Sequence, residues 1–391
     1  MKHITACLVL LSLSAGILRG QDAPAAYKVG IFLPLHLDSA FSETGAYRFG
    51  KGFPRQSLPG LEFYLGAELA IDSLQAERSE RVDVRIYDIR SREGQLSILT
   101  RMPVMDSLDL IIGQVTGTEY LQLARIAREK DIPFVSATYP NDGGIKSSPQ
   151  VFIANAKLNT HLLAMFNHIL ADYGGRNIVW LRRNNPADDR VAEVFRQLNA
   201  EKGNNLRIRT QMVPDTFSER HIIPLIDSNK QNLIISGSLD ERFALRLGRN
   251  CLRIPASYPL HVVGMPTWEG ISELRTTEFH PLSMEYSATL YRPRLDSWRA
   301  RMEELYRKRT FSKPSDLAFR GFQTTYHFVG LLMKFGEKGL REQVNHRSAK
   351  GVSDFDFQPV RWSRSSETPD YQENKRIYLI RRQFGQTQLL N

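Results

Sequence analysis

Residues 108–138 read "LDLIIGQVTGTEYLQLARIAREKDIPFVSAT". An apolar run ends in glycine, a short polar loop follows, then an amphipathic helix and a second apolar run. Strand, loop, helix and strand in that order make one unit of a parallel sheet. The loop between Gly113 and Thr118 is not a phosphate cradle. That motif needs Lys and then Ser/Thr after its last glycine, whereas Gly117 is followed by Thr118 and Glu119. The spacing of Gly113 and Gly117 also misses the dinucleotide fingerprint. Thr116 with Glu119 three residues on fits a capping box. A helix start after a sheet strand also offers free N–H groups to an anion or carboxylate. The two readings are compatible.

Working outward, the same alternation holds on both sides. Strands are predicted at "YKVGIFLPL" (27–35), "VDVRIYDI" (82–89), "LDLIIG" and "IPFVSAT", with helices between them. The pattern restarts at "QVFIAN" (150–155). It runs through "NIVWLRR", "LRIRTQMV", "NLIISG" and "PLHVVGMP", with helices that include "ERHIIPLIDSN" (219–229). Two α/β units with parallel sheets follow, Rossmann-like in layering, with a boundary near residue 156. Past residue 283 the order changes to a strand, two helices and closing strands, too much chain for the second unit alone. The expected division is 27–156 with about 283–345 in one lobe, and 157–282 with about 350–391 in the other.

The composition, 42% hydrophobic and 24% charged, is that of a folded chain and excludes bulk disorder. Lys2 followed by "ITACLVLLSLSAGIL" (4–18) and the small, polar "QDAPAA" reads as a secretory leader, cleaved near Gly20 or Ala25. Cys7 precedes the apolar run, which argues against a lipoprotein leader. No other segment approaches the ~20 apolar residues of a membrane span, so an exported, periplasmic chain is expected. Removing Lys2 and Arg19 lowers the net charge from +10 to +8. The excess gathers in 292–310 and 375–382, as a solvated basic face or an attraction to an anionic envelope surface. No nucleic-acid module is present. Cys251 would be the sole cysteine of the exported chain and is expected to be buried.

The motifs of catalysis are missing. There is no G-x-S-x-G elbow after the leader, no H-E-x-x-H and no paired cysteine. His161 and His168 share a helix face but stand two turns apart, too far for one metal. Asp188–Asp189 in "NNPADDR" is expected to cap the following helix. "GMPTWEG" (264–270) brings Trp268 to a strand end, where its ring could stack on a ligand or pack between lobes. No enzyme activity, cofactor or metal is expected.

Several stretches resemble the type I periplasmic binding proteins, closest to the branched-chain amino acid receptors of ABC transporters. "YKVGIFLPL" looks like their opening strand and "YLGAELAIDSLQ" their first helix. Residues 108–138 are similar to their third strand, ligand loop, helix and fourth strand. "KPSDLAFRGFQTTYHFVGLL" resembles their late helix and "NKRIYLIRRQFG" their last strand. The resemblance covers nearly the whole chain after the leader. It implies two lobes joined by three crossings at a hinge, with a small polar solute held in the cleft between them. By that likeness Thr116, Gly117, Thr118, Ser136, Ala137 and Thr138 form the first wall. Arg182, Asn184, Ser238 and Trp268 form the second, with Arg182 pairing an anionic group. The acid that usually holds a ligand's ammonium group is not matched after "NLIISG"; Asp240 is the nearest. The loop from His36 to Gly60 is longer than the family's turn and is expected at the cleft mouth. The implied partners are the solute and a membrane permease complex, for a monomer or dimer. The alternative is an interaction protein that uses the same fold to contact an envelope, cell-wall or secretion partner.

Overall fold

The computed structural model describes residues 26–99, 101–291, 297–347 and 355–391. The expected leader and the start of the basic stretch at 292 lie outside them. No helix among the described residues is long and apolar enough to cross a membrane.

The chain begins with β1 (Tyr27–Leu33), a short helix α1 (Leu37–Ala40) and the long helix α2 (Leu58–Glu77). Then come β2 (Val82–Asp88), a single turn α3 (Leu96–Leu99), β3 (Leu110–Gly113), α4 (Gly117–Lys130), β4 (Phe134–Ser136) and β5 (Val151–Ile153). After a first crossing it forms α5 (Leu158–Tyr173), β6 (Asn177–Arg182), α6 (Pro186–Glu201), β7 (Ile208–Met212) and β8 (Asn232–Ser236). The run ends with α7 (Glu241–Leu252), β9 (Leu260–Val263) and β10 (Met284–Ala288). A second crossing leads back to α8 (Ser297–Thr310), α9 (Asp316–Glu342), β11 (Phe357–Val360) and β12 (Tyr371–Asn374). A third delivers β13 (Tyr378–Gln383) and β14 (Gln386–Leu389) to the second lobe.

Each lobe holds a seven-stranded sheet, ordered β11-β12-β5-β4-β3-β1-β2 in the first and β14-β13-β10-β9-β8-β6-β7 in the second. The sheets are not wholly parallel, because β11 pairs antiparallel to β12, and β13 antiparallel to both β10 and β14. The lobe limits also differ from the expected ones. β10 hydrogen-bonds to β9 in the second sheet, while β11 and β12 belong to the first. The chain therefore returns to the first lobe after Ala288 and leaves it after Asn374. Their bare periodicity hid this, since a strand does not reveal which sheet it will join.

Two helices differ from expectation. The stretch 219–229 forms only short turns, Glu219–His221 and Ile223–Leu225. Pro224 there has no N–H to give a helix. The helix expected between the second and third strands is only the single turn Leu96–Leu99, and Pro103 opens a further short one.

The first lobe is clamped by α2 against α9. A methyl group on Gly66 would sit 1.9 Å from the Ala318 carbonyl oxygen, and one on Gly321 2.1 Å from that of Phe63. These glycines let two backbones touch, with Phe63, Ala67, Ala318 and Phe322 buried around the contact. In the second lobe Cys251 is buried among Phe243, Leu247 and Phe279. That core also encloses Glu285, which accepts from Tyr173 Oη at 2.6 Å and Arg381 Nε at 2.7 Å and lies 2.7 Å from His168 Nε2.

Candidate solute-binding site

The first crossing, Ala154–Lys157, joins the end of β5 to the start of α5. Helix α5 runs back beside the sheet, so its start lies where β6 finishes. The carboxyl ends of both sets of strands therefore face the crossings and one another, the edge at which open α/β sheets take ligands.

Polar side chains fix this hinge. Glu373 accepts from the Lys157 N–H at 3.1 Å and from Thr160 Oγ1 at 2.6 Å, and Lys375 pairs with it at 2.7 Å. Lys157 also pairs with the buried Asp142 and reaches Tyr371 Oη at 2.8 Å. Asn155 in the first crossing accepts from Thr289 in the second at 2.9 Å, and Arg320 of α9 donates to Thr289 at 2.9 Å. The other arm of Arg320 reaches Glu269 of the second lobe at 3.3 Å. A further pair, Arg275 with Asp316 at 3.4 Å, spans the lobes beside a cavity of about 220 Å³ lined by Tyr286, Leu290 and Arg382.

The first wall gathers at the ends of β3 and β4. Thr116, Gly117 and Thr118 are exposed, and Thr116 makes no cap bond to α4. The capping box expected there does not form. Gly117 turns the backbone to φ +54, and Glu119 pairs instead with Arg90 beyond the end of β2, at 2.8 Å. The first N–H groups of a fourteen-residue helix are thus left without a side-chain acceptor. Thr118 borders a pocket of about 330 Å³ with Arg90, Gln95 and Gln122. Ser136 and Ala137 are buried, Thr138 half-buried. The Ser136 hydroxyl and the Gln114 side-chain oxygen have no protein partner. Gln114, a polar residue directly after an apolar strand, carried that signal in the sequence.

The second wall is built differently. Ser238 is buried; its hydroxyl donates to Asp188 at 2.9 Å and accepts from Arg183 Nη2 at 3.0 Å. Arg183 also meets Asp240 and the exposed Asp215, each at 3.7 Å. Three carboxylates thus surround one guanidinium, and burial, which would lower its pKa, is outweighed by Asp188, Asp240 and Asp215. Arg183 lies here rather than Arg182, because alternation along β6 turns Arg182 to the opposite face. There it pairs with Asp189 and borders a separate pocket of about 560 Å³ with Trp180 and Phe195. Asn184 is exposed. Asn185, not Asp188, caps α6, accepting from the N–H of Ala187 and Asp188 at 3.0 and 2.9 Å. Trp268 is 1% exposed and packs in the core. Its ring fills the space beside Gly264, where a methyl group would come within 2.0 Å.

His161 is buried, 3.0 Å from Ser287, and His168 is bound to Glu285, so both histidines are engaged inside the second lobe. No group of three or more metal-ligating side chains occurs among the described residues.

Comparison with known proteins adds the architecture's name. No family model matches the chain, and no curated protein matches it in sequence. Solved structures do. A branched-chain amino acid ABC transporter protein from Rhodospirillum rubrum superposes with a TM-score of 0.70 at 17% identity, over 94% of this chain and 100% of that one. The branched-chain amino acid substrate-binding protein of Streptococcus pneumoniae, in complex with isoleucine, gives 0.55 at 15% identity, over 94% and 99%. A solute-binding protein from R. palustris, in complex with benzoate, gives 0.52 at 17%, over 94% and 96%. At such identities the likeness establishes the fold: two α/β lobes of the type I periplasmic binding protein architecture.

Proposed function

We propose that this chain is an exported, non-catalytic receptor that captures a small polar solute between its lobes. The observation that carries the reading is the uncapped start of α4. Its free N–H groups and partial positive charge, with the hydroxyls of Thr116, Thr118 and Thr138 nearby, suit a carboxylate or another small anion. Across the cleft, Asp188, Asp215 and Asp240 outnumber Arg183, which suits a positively charged or hydrogen-bond-donating end of the same solute. An amino acid or related zwitterion has that polarity. The neighbours' names point the same way, to solute capture rather than to a protein that only contacts an envelope partner. Capture would proceed by rotation about the crossings, with Arg320 and Glu269 tying the lobes on the hinge side. Delivery to a membrane permease is part of the proposal.

A thermal-shift screen against amino acids, short peptides and cell-wall fragments tests it. A solute present at a hundred times its Kd stabilises the fold by about 2.7 kcal/mol. The double variant Thr118→Ala/Thr138→Ala should bind the hit roughly tenfold more weakly or worse, with an unchanged melting temperature in its absence. Affinity equal to wild type would remove the first wall from the site.

A further inference from the structure

The excursion between β1 and α2 is not explained by solute capture. Leu37, Phe41, Tyr47, Phe49, Phe53 and Leu58 are each between 37% and 46% exposed. A soluble surface rarely gathers so many large apolar groups without a partner. Arg48, Lys51 and Arg55, all exposed, are interleaved with the rings, and Glu43 is the one acid between Phe41 and Leu58.

The segment is held in shape. Asp88 accepts the N–H groups of Leu35, His36 and Leu37 at 2.9, 3.1 and 2.7 Å, fixing where it leaves β1. Phe41 and Tyr47 form a bridge, and Tyr47 Oη donates to the Gly52 carbonyl at 2.6 Å. The rings of Phe41, Tyr47 and Phe49 follow one another at 5.4 and 6.0 Å. Hydrogen bonds thus fix the backbone while the rings face water.

We propose that this tip docks on an anionic phospholipid surface. The rings would enter the boundary between headgroups and acyl chains, and the three cations would meet the lipid phosphates. Alternation of ring and cation along one short tip suits a fluid, negatively charged plane. Its backbone pairing is the isolated bridge between Phe41 and Tyr47, not a strand edge of the kind that selects a peptide. The net charge of +8 that remains without Lys2 and Arg19 adds long-range attraction to the same surface. The tip follows β1, beside the β2 edge of its sheet and away from the crossings, so docking would hold the cleft mouth near the membrane. This inference does not depend on which solute is bound.

Flotation with vesicles tests it, using the chain from Gln21 so that the N-terminal apolar run does not contribute; the described fold begins beyond that run. The chain should float with vesicles of equal parts phosphatidylcholine and phosphatidylglycerol, and not with phosphatidylcholine alone. The triple variant Arg48→Gln/Lys51→Gln/Arg55→Gln should lower partitioning by roughly a hundredfold, at about fivefold per cation. Phe49→Ser/Phe53→Ser should lower it by roughly tenfold or more. Both variants should melt as the wild type does. Phe49→Trp, which keeps a ring, should show blue-shifted emission on anionic vesicles only. Equal binding to neutral vesicles, or variants that float like the wild type, would overturn the proposal. So would variants that keep vesicle binding but lose solute affinity, which would make the tip a lid.

Discussion

At the end of β3 in the first lobe, α4 starts from Thr116 with no side chain on its first N–H groups. At the end of β8 in the second, Asp240 caps α7 through the Phe243 N–H at 2.7 Å, and Ser238 is already bound to Asp188 and Arg183. The two lobes repeat one strand order yet finish their facing edges in opposite ways. One edge leaves donors open; the other saturates its polar groups against each other and keeps surplus negative charge. Under the proposed function, two such walls would select a solute by polarity, because a group that matches one is repelled by the other. The interiors differ too. The first lobe is closed by backbone contact between two helices, the second by packing around a buried ionic cluster.

Breaking that cluster should have the largest effect. Glu285→Ala leaves Arg381 and His168 without their buried partner and should cost about 3–5 kcal/mol, read by urea unfolding. A loss under ~1 kcal/mol would mean the cluster is solvated in solution. The matching change in the first lobe is Gly321→Ala, which drives a methyl group against the Phe63 carbonyl and should cost about 3 kcal/mol. A neutral result would show that α2 and α9 can part freely.

Acid should weaken both lobes through histidine. His161 in α5 and His327 in α9 are held at about 3 and about 4, chiefly because burial disfavours the charged ring. Each folded value lies below the unfolded one, so the unfolded chain binds more protons. This stability is complete above the ordinary imidazole pKa and is lost as pH falls towards the folded values. Between pH 7 and pH 5 each ring should contribute about 2 kcal/mol of destabilisation. His161→Gln should flatten the pH dependence of unfolding by about one proton, and an unchanged slope would count against the burial argument. Glu285 acts lower on the scale. Burial pushes its carboxyl up, but His168, Tyr173 and Arg381 outweigh that and hold it at about 2. Its contribution is present above the ordinary carboxylate range and disappears as pH falls through about 2.

The smallest change sharpens the comparison most. Thr116→Asp, with Gly117 still at positive φ, sets a carboxylate beside the open N–H groups of α4 and should stabilise the fold by about 0.5 kcal/mol through the helix dipole. It should also repel an anionic solute from the open donors, so calorimetry should find binding weakened in a more stable protein. Undiminished affinity would place the anion elsewhere.

Alternating apolar runs and helical spacing were enough to determine two α/β units and most of their strands, because those patterns follow from local backbone geometry, although the strand in "QVFIAN", where the pattern was expected to restart, joined the first sheet. The family likeness added the three crossings. Single residues show where local reading ends. Thr116 and Glu119 fit a capping box by spacing, yet Gly117 takes a positive φ and Glu119 pairs with Arg90, just past the end of β2, instead. Arg182 and Arg183 are neighbours in the chain, and only the pleat of β6 against β8 decided that Arg183 joins Ser238. Trp268 looked available at a strand end until Gly264 made room for it inside. The acids after "NLIISG" looked insufficient because Asp188 and Asp215 come from other strand ends. What the sequence determined by itself was the order of elements and the lack of catalytic motifs, both properties of nearby residues. Which strand joined which sheet, which arginine met Ser238 and which donors stayed open were decided by tertiary structure. Those outcomes depend on groups distant in the chain competing for the same space and the same hydrogen bonds.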